Sequence, residues 1–281
     1  SMRALSGKKE PEQVADALIW HPDVRRMLLT QKAVAEGGRA MIYAAAQLAD
    51  RMFAAAWAGD HAAYQRHDGA LGFFTPILKG FLTEMGVEAA SLGVQVMGGH
   101  GYIREHGMEQ ILRDARIATL YEGTTGIQAL DLLGRKVLMQ TRGQCVRDFC
   151  QQMRALARPR LLAGGPLGRM ARALAWRAWQ WNLLTLRLML QARQDREQVG
   201  AAAYDYLMYS GYVMMGYHWA QMAFVSDAAQ GAESEAFYRA KVETAQFYFE
   251  RLLPRADAHH RMALAPARTL LQTQAEDLAM L

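Results

Sequence analysis

From Met41 onward, apolar residues fall at Met41, Ala45, Leu48, Ala49, Met52, Phe53 and Ala56, a three-and-four spacing that gathers them on one side of a helix. Charged Arg39, Asp50 and Arg51 fall off that stripe. The pattern predicts one long helix over residues 23–58, opened by His21-Pro22, where proline suits the first helical position, and closed by Gly59. Residues 59–69, with His61, His67 and two aspartates, read as a polar connection. A second long helix is expected over residues 70–97, with Pro76 in its first turns, where a kink or a delayed start is tolerable. Gly98-Gly99 ends it, and an irregular loop runs to Gly107. A short helix over residues 108–116 leads into Tyr121-Glu122-Gly123. The last helix of this bundle starts at Thr124-Thr125, with Thr125 and Gln128 spaced as a capping box.

After Arg142-Gly143 the helical pattern resumes over residues 146–162, 167–194, 201–230 and 235–253, broken by Gly164-Gly165-Pro166 and by Gly231. Trp176, Trp179, Trp181 and Trp219 are taken as packing residues. Strand alternation is nearly absent, so the fold class is all-α: a helical bundle over residues 1–141 and a second helical domain over residues 142–281. Residues 206–226 contain no Asp, Glu, Lys or Arg and are long enough to span a bilayer. They also carry His218, Gln221, Ser210, Gly211 and Gly216 and few Leu or Ile, so a buried core helix is expected and no transmembrane span.

Composition narrows the function. Of the 281 residues, 52% are apolar, 21% are charged and only 7 are proline, a globular profile and not a disordered one. The net charge of +5 would suit a phosphate-rich partner. The arginines are dispersed, however, with no block of like charge and no nucleic-acid motif, so no nucleic-acid partner is expected. Cys145 and Cys150 stand five apart, forming neither CxxC nor a zinc pattern. Two unpaired cysteines among 17 methionines fit a reducing, cytoplasmic compartment. The start, Ser1-Met2-Arg3, lacks signal-peptide architecture and reads as a beginning inside a longer gene. His100 and His106 read as ordinary loop histidines and His259-His260 as an exposed pair, with no metal site. Arg113, Asp114 and Arg116 are expected to form an ion-pair set that fixes the loop around Glu122.

Three separated elements carry the chemistry: Gln95-Val96-Met97-Gly98-Gly99-His100-Gly101-Tyr102, then Leu112-Arg113-Asp114-Ala115-Arg116, then Tyr121-Glu122-Gly123-Thr124-Thr125-Gly126-Ile127-Gln128. From the residues alone this is a helix end opening into a glycine loop, beside a carboxylate in a Gly-flanked turn. Glycines allow close backbone approach to a ligand, and successive N–H groups can meet phosphate oxygens. Gly99-x-Gly101 is not a dinucleotide fingerprint, since it follows a helix and Arg104 stands at the third glycine position.

In this order the three elements resemble the acyl-CoA dehydrogenase family, and His21-Pro22-Asp23-Val24-Arg25-Arg26-Met27-Leu28 is similar to the helix entrance of that family's carboxyl-terminal domain. The resemblance covers residues 3–138. The remainder is similar, by helix pattern and position, to the additional helical domain of the larger subgroup that includes methylthiopropanoyl-CoA dehydrogenases. The resemblance implies an FAD-dependent oxidoreductase of fatty acid metabolism that dehydrogenates an acyl-CoA thioester, with Glu122 as the base that removes the α-proton. It implies that Gly123 lies against the thioester and that Thr124, Thr125 and Gly126 touch the flavin. Gln95, Val96, Met97, Gly98 and Gly99 would reach FAD of a neighbouring subunit, making the protein a homodimer or larger. His21 and Pro22 match another FAD-contacting pair, and Arg3 an arginine on the diphosphate. An electron-transfer acceptor of flavoprotein type would be a further partner. Gly134 stands where the family often has a substrate-contacting arginine, with Arg135 beside it, and Gly126 where many members have Glu or Gln.

Two other readings stay beside the dehydrogenase: an acyl-CoA oxidase, in which oxygen reoxidises the flavin, and a helical assembly module with a vestigial motif. As a dehydrogenase the chain alone is expected to be inactive, because it holds no β domain. Apolar faces that such domains would cover should favour self-association.

Overall fold

A computed structural model describes residues 3–229 and 234–279. The Gly231 break, the expected helix end at Gln230, and Ser1-Met2 lie outside the described residues. Helix α1 (Pro22–Trp57) begins with Pro22 in its first turn; of the stripe read from the sequence Met41 and Ala45 are buried and Leu48, Ala49 and Met52 half-buried, while Phe53 and Ala56 near the helix end are exposed. Helix α2 (His61–Met97) starts earlier than expected. The Asp60 carboxylate accepts the Ala63 amide at 2.9 Å and caps the helix, so most of the supposed connection is helical and the α1–α2 turn is tight. Pro76 therefore sits in mid-helix, buried.

Helices α3 (Gly99–Tyr102) and α4 (Met108–Ile117) double back along α2. Helix α5 (Thr125–Leu130) continues in wider π-type turns over Asp131–Gln140. Arg142 and Gly143, both left-handed (φ 48° and 78°), turn the chain into the second half. There α6 (Gln144–Ala157), α7 (Gly165–Gln194), α8 (Glu197–Ala228), α9 (Glu235–Phe247) and α10 (Arg255–Ala263) follow, with α9 extended by π-type turns over Tyr248–Leu252. Among the described residues there is no strand, as an all-α chain requires.

The two halves share one buried cluster that runs from Ala33 to Ala263. Helix α8 is its axis: residues 206–216 are all buried. It seats against α1 and α2 where glycine removes a side chain. A Cβ on Gly211 would stand 2.1 Å from the Phe81 ring, and one on Gly37 would stand 2.6 Å from Trp219 Nε1. Trp219 Nε1 donates to the Ala33 carbonyl at 3.1 Å. No helix among the described residues is long and apolar enough to cross a membrane, and the uncharged stretch in α8 is the core helix expected of it.

Two expectations fail here. Trp181 and Trp219 are enclosed, but Trp176 and Trp179 stack on each other at 4.8 Å between centroids, each about half exposed. Apolar residues occur on several faces of α7, so spacing alone does not say which face turns inward. His259 and His260 are not an exposed pair either. Helix α10 packs on α8, which brings His259 Nδ1 to 2.8 Å from the Asp205 carboxylate and buries His260 Nε2 without a partner.

Candidate active site

The turn between α4 and α5 holds Glu122. Thr119 is buried, and its carbonyl accepts the Thr125 amide at 3.3 Å, closing the turn. Within it Glu122 has φ 55° and Gly123 φ 89°. A left-handed residue other than glycine is uncommon and carries strain of about 1 kcal/mol or more, so neighbouring contacts must hold it. Lys79 Nζ, on α2, donates to the Gly123 carbonyl at 2.6 Å. Gln128 Nε2 donates to the Glu122 carbonyl at 3.2 Å. The Thr125 hydroxyl donates to a Glu84 carboxylate oxygen at 2.6 Å, again on α2.

The expected Thr125–Gln128 capping box does not form. Thr124 caps α5, accepting the Ile127 amide at 3.4 Å, while Thr125 is used on α2 and Gln128 on the turn. The expected ion-pair set does not form. Arg113 pairs with Glu109 at 2.8 Å one helical turn back on exposed α4, and the Arg116 guanidinium donates to the Thr119 hydroxyl. Adjacent residues on a helix point in different directions, so Arg113 and Asp114 do not face one another.

Lys79 and Glu84 are the contacts that sequence reasoning missed. One signal was available: with Glu88 they are the only charged residues between 70 and 97, so each needed a partner. Glu88 finds Arg255 at 2.8 Å.

The other expected site residues fall elsewhere. Gln95, Met97, Gly98 and Gly99 are exposed at the end of α2, with Val96 half-buried. Gly98 (φ 59°) turns the chain, and no atom lies within 4 Å of a Cβ built on Gly98 or Gly99, so the surface above them is open. Met97 stands thirteen positions along the helix from Glu84, about 20 Å at 1.5 Å per residue. Within one chain the glycine loop and the Glu122 turn are therefore not brought together. His21 precedes α1, and its Nε2 is buried without a hydrogen-bond partner. Arg3 is committed to its own loop, donating to the Glu10 carbonyl at 2.9 Å and to Asp16 at 3.2 Å. The Ala4, Glu10 and Lys9 amides, with Arg3, hold the Asp16 carboxyl well below the usual carboxylate range. Arg135, beside Gly134, pairs with Asp131 one turn back.

His100 and His106 meet ring to ring at 5.2 Å, and no group of three His, Cys, Asp or Glu among the described residues could hold a metal. Burial pushes the Cys150 thiol up to about 12 and raises that of Cys145, leaving both protonated and poorly nucleophilic.

Comparison with known proteins decides the family. The sequence profile described as "Acyl-CoA dehydrogenase, C-terminal domain" matches residues 3–138, and "Acetyl-CoA dehydrogenase C-terminal like" matches residues 144–274. The chain belongs to the acyl-CoA dehydrogenase family. It is 39% identical over 250 residues to 3-methylmercaptopropionyl-CoA dehydrogenase of Ruegeria pomeroyi, covering 88% of this chain and 42% of that protein. It is 33% identical to the broad-specificity linear acyl-CoA dehydrogenase FadE5 of Mycobacterium tuberculosis, over 83% of this chain and 39% of that protein. The chain thus spans about two fifths of the length of these acyl-CoA dehydrogenases. In fold it matches Caenorhabditis elegans ACDH-11, solved in complex with C11-CoA, with a TM-score of 0.68 at 19% identity over 96% of this chain and 42% of that one. An acyl-CoA dehydrogenase from Bacillus anthracis, complexed with FAD, matches with a TM-score of 0.64 at 16% identity, over 94% of this chain and 46% of that one.

Proposed function

We propose that this chain is the helical part of an FAD-dependent acyl-CoA dehydrogenase, in which Glu122 takes the α-proton of the acyl thioester. One observation carries the reading: a carboxylate held in a left-handed conformation by side chains reaching from two helices. Residues kept in this disfavoured region cluster at active sites and ligand clamps, where surrounding contacts hold them in place.

The residues present fit part of a flavin site. The open surface over Gly98 and Gly99, and the buried His21 Nε2 with no partner, offer close backbone approach and a free polar atom. The separation of the glycine loop from the Glu122 turn supports a loop that serves the FAD of a second subunit, and with it a homodimer. Thr124, Thr125 and Gly126, at the start of α5, belong to the turn itself. When bound, the flavin supplies the acceptor for the hydride that leaves the β-carbon.

The chain's own contribution is the proton. An α-hydrogen beside a thioester is weakly acidic, so the base must be close, aligned and charged before the reaction begins. Glu122 lies on an exposed turn, and nearby in sequence Ile117, Leu120, Tyr121 and Ile127 are exposed as well. Further domains of the full-length protein would cover these apolar side chains and exclude water from the carboxylate. Acyl-CoA as substrate, a flavoprotein-type electron acceptor, a role in fatty acid metabolism and a cytoplasmic location belong to this proposal, as does a division of the chain near residue 141 into two units.

Two experiments test it. In the full-length protein, Glu122→Gln should keep FAD and acyl-CoA binding, measured by calorimetry, while substrate no longer bleaches the flavin. The amide is nearly isosteric but cannot accept the proton. The rate should fall by about 10²–10⁴-fold, the usual contribution of a positioned general base. Bleaching at the parent rate would assign the base elsewhere. The isolated chain is expected to hold FAD weakly and to leave acyl-CoA untouched; a yellow chain that reduces a dye with acyl-CoA would contradict that.

A further inference from the structure

We infer that Lys79 is a positioning residue for the base, setting the direction of the Glu122 carboxylate through the carbonyl of Gly123. The inference rests on the proposed role of Glu122. Direction is what the turn lacks on its own, because it lies on the surface and its central residue occupies a disfavoured backbone region. Two peptide planes follow the Glu122 Cα, and each is pinned by one side chain. Gln128 Nε2 holds the Glu122 carbonyl from within α5, at 3.2 Å. Lys79 Nζ holds the Gly123 carbonyl from α2, at 2.6 Å, across 44 residues of sequence. The lysine contact is the one of this pair that references the turn to the body of the protein.

The chemistry of Lys79 is unusual for a structural lysine. It is half-buried and makes no ion pair among the described residues. Its partners are a carbonyl oxygen and the Tyr121 ring, 5.9 Å from the ammonium to the centroid. A charged donor to a neutral carbonyl gives a short, directional contact. Glu84, five residues on, takes the Thr125 hydroxyl at 2.6 Å, so α2 grips the turn at two points on either side of Thr124. Removing the Lys79 contact frees the Gly123 peptide to rotate, and rotation there swings the Glu122 side chain while the fold beneath is untouched.

The test uses the full-length holoenzyme with Lys79→Met, Lys79→Gln and Lys79→Arg, and with Glu122→Gln as a control on the underlying reading. Single-turnover flavin reduction at saturating acyl-CoA is compared with acyl-CoA binding by calorimetry. Lys79→Met should slow reduction by about 10- to 100-fold, the loss expected of an ångström-scale misplacement, while binding stays within about twofold. Lys79→Gln keeps a donor on an arm too short to reach and should behave the same way, which covers the case of a methionine variant that does not fold. Lys79→Arg, long enough and charged, should recover most of the rate. Reduction at the parent rate in both Met and Gln variants would overturn the inference, as would Arg being as slow as Met, or binding falling in step with rate. If Glu122→Gln is inactive while Lys79→Met is unimpaired, the positioning role alone fails. If Glu122→Gln reduces flavin normally, the assignment of the base fails with it.

Discussion

Along α8 every residue from 206 to 216 is buried, whereas around Glu122 the side chains of Ile117, Leu120, Tyr121, Ile127 and Leu130 face solvent. The two regions answer different demands. Much of the second half's buried polar chemistry is paired internally: Trp181 Nε1 donates to the Tyr206 hydroxyl at 3.1 Å, that hydroxyl meets Thr185 at 2.7 Å, and Tyr248 donates to the Tyr212 carbonyl at 2.7 Å. Arg177, 8% exposed at its side chain, finds Asp257. The Glu122 turn instead keeps its shape by a few long side-chain tethers and leaves its apolar surroundings open. A region that stabilises the fold hides its groups, and a region that meets a ligand or another domain presents them. Substitutions in the first should register in stability and in the second in activity.

The largest expected effect is Trp181→Ala. It removes a fully enclosed ring and one of the two partners of the Tyr206 hydroxyl, which keeps Thr185, so chemical denaturation should show a loss of about 3–5 kcal/mol. A loss below about 1 kcal/mol would break the comparison.

Next comes His218, whose Nδ1 meets Gln221 at 3.0 Å and whose pKa burial pushes down to about 4. The unfolded chain binds this proton near pH 6.5 and the folded chain does not until about pH 4, so stability falls as pH drops between those values. Its contribution to that fall is about 3 kcal/mol, at roughly 1.4 kcal/mol for each pH unit crossed. His218→Gln should flatten the dependence in denaturation curves from about pH 7 to about pH 4; an unchanged slope would contradict the burial of a neutral imidazole.

The smallest effect sharpens the contrast. Trp176→Ser, in the exposed stack with Trp179, should change stability by about 1 kcal/mol or less, although it lies on the same helix as Trp181. A loss as large as that of Trp181→Ala would mean that the exposed face of α7 contributes to the fold as much as its buried face.

Those two tryptophans also mark what a sequence can and cannot convey. Local signals are legible: proline at the start of α1, glycine at the end of α2, and the motif around Glu122. Which face of α7 turns inward is not, because its apolar residues do not form a single stripe. The start of α2 is hidden because Asp60, an ordinary cap, reads equally well as part of a polar loop. Lys79 and Glu84 escape for a different reason. Their partners lie 44 and 41 residues away, and only the pairing of α2 with the α4–α5 turn brings them together. The resemblance to a family points to Glu122, but the groups that hold its turn come from tertiary structure.

The central claim is that Glu122 removes the α-proton, and proton exchange measures that step apart from hydride transfer. Full-length protein incubated with a saturated acyl-CoA in deuterated solvent, under conditions where the flavin is already reduced, should exchange the α-hydrogens, read by mass spectrometry of the recovered thioester. Glu122→Asp should exchange more slowly, its carboxylate being displaced by roughly one C–C bond from its working position. Glu122→Gln should not exchange above the rate in solution, while still binding acyl-CoA. Exchange by Glu122→Gln at the parent rate would show that another group takes the proton and would contradict the account.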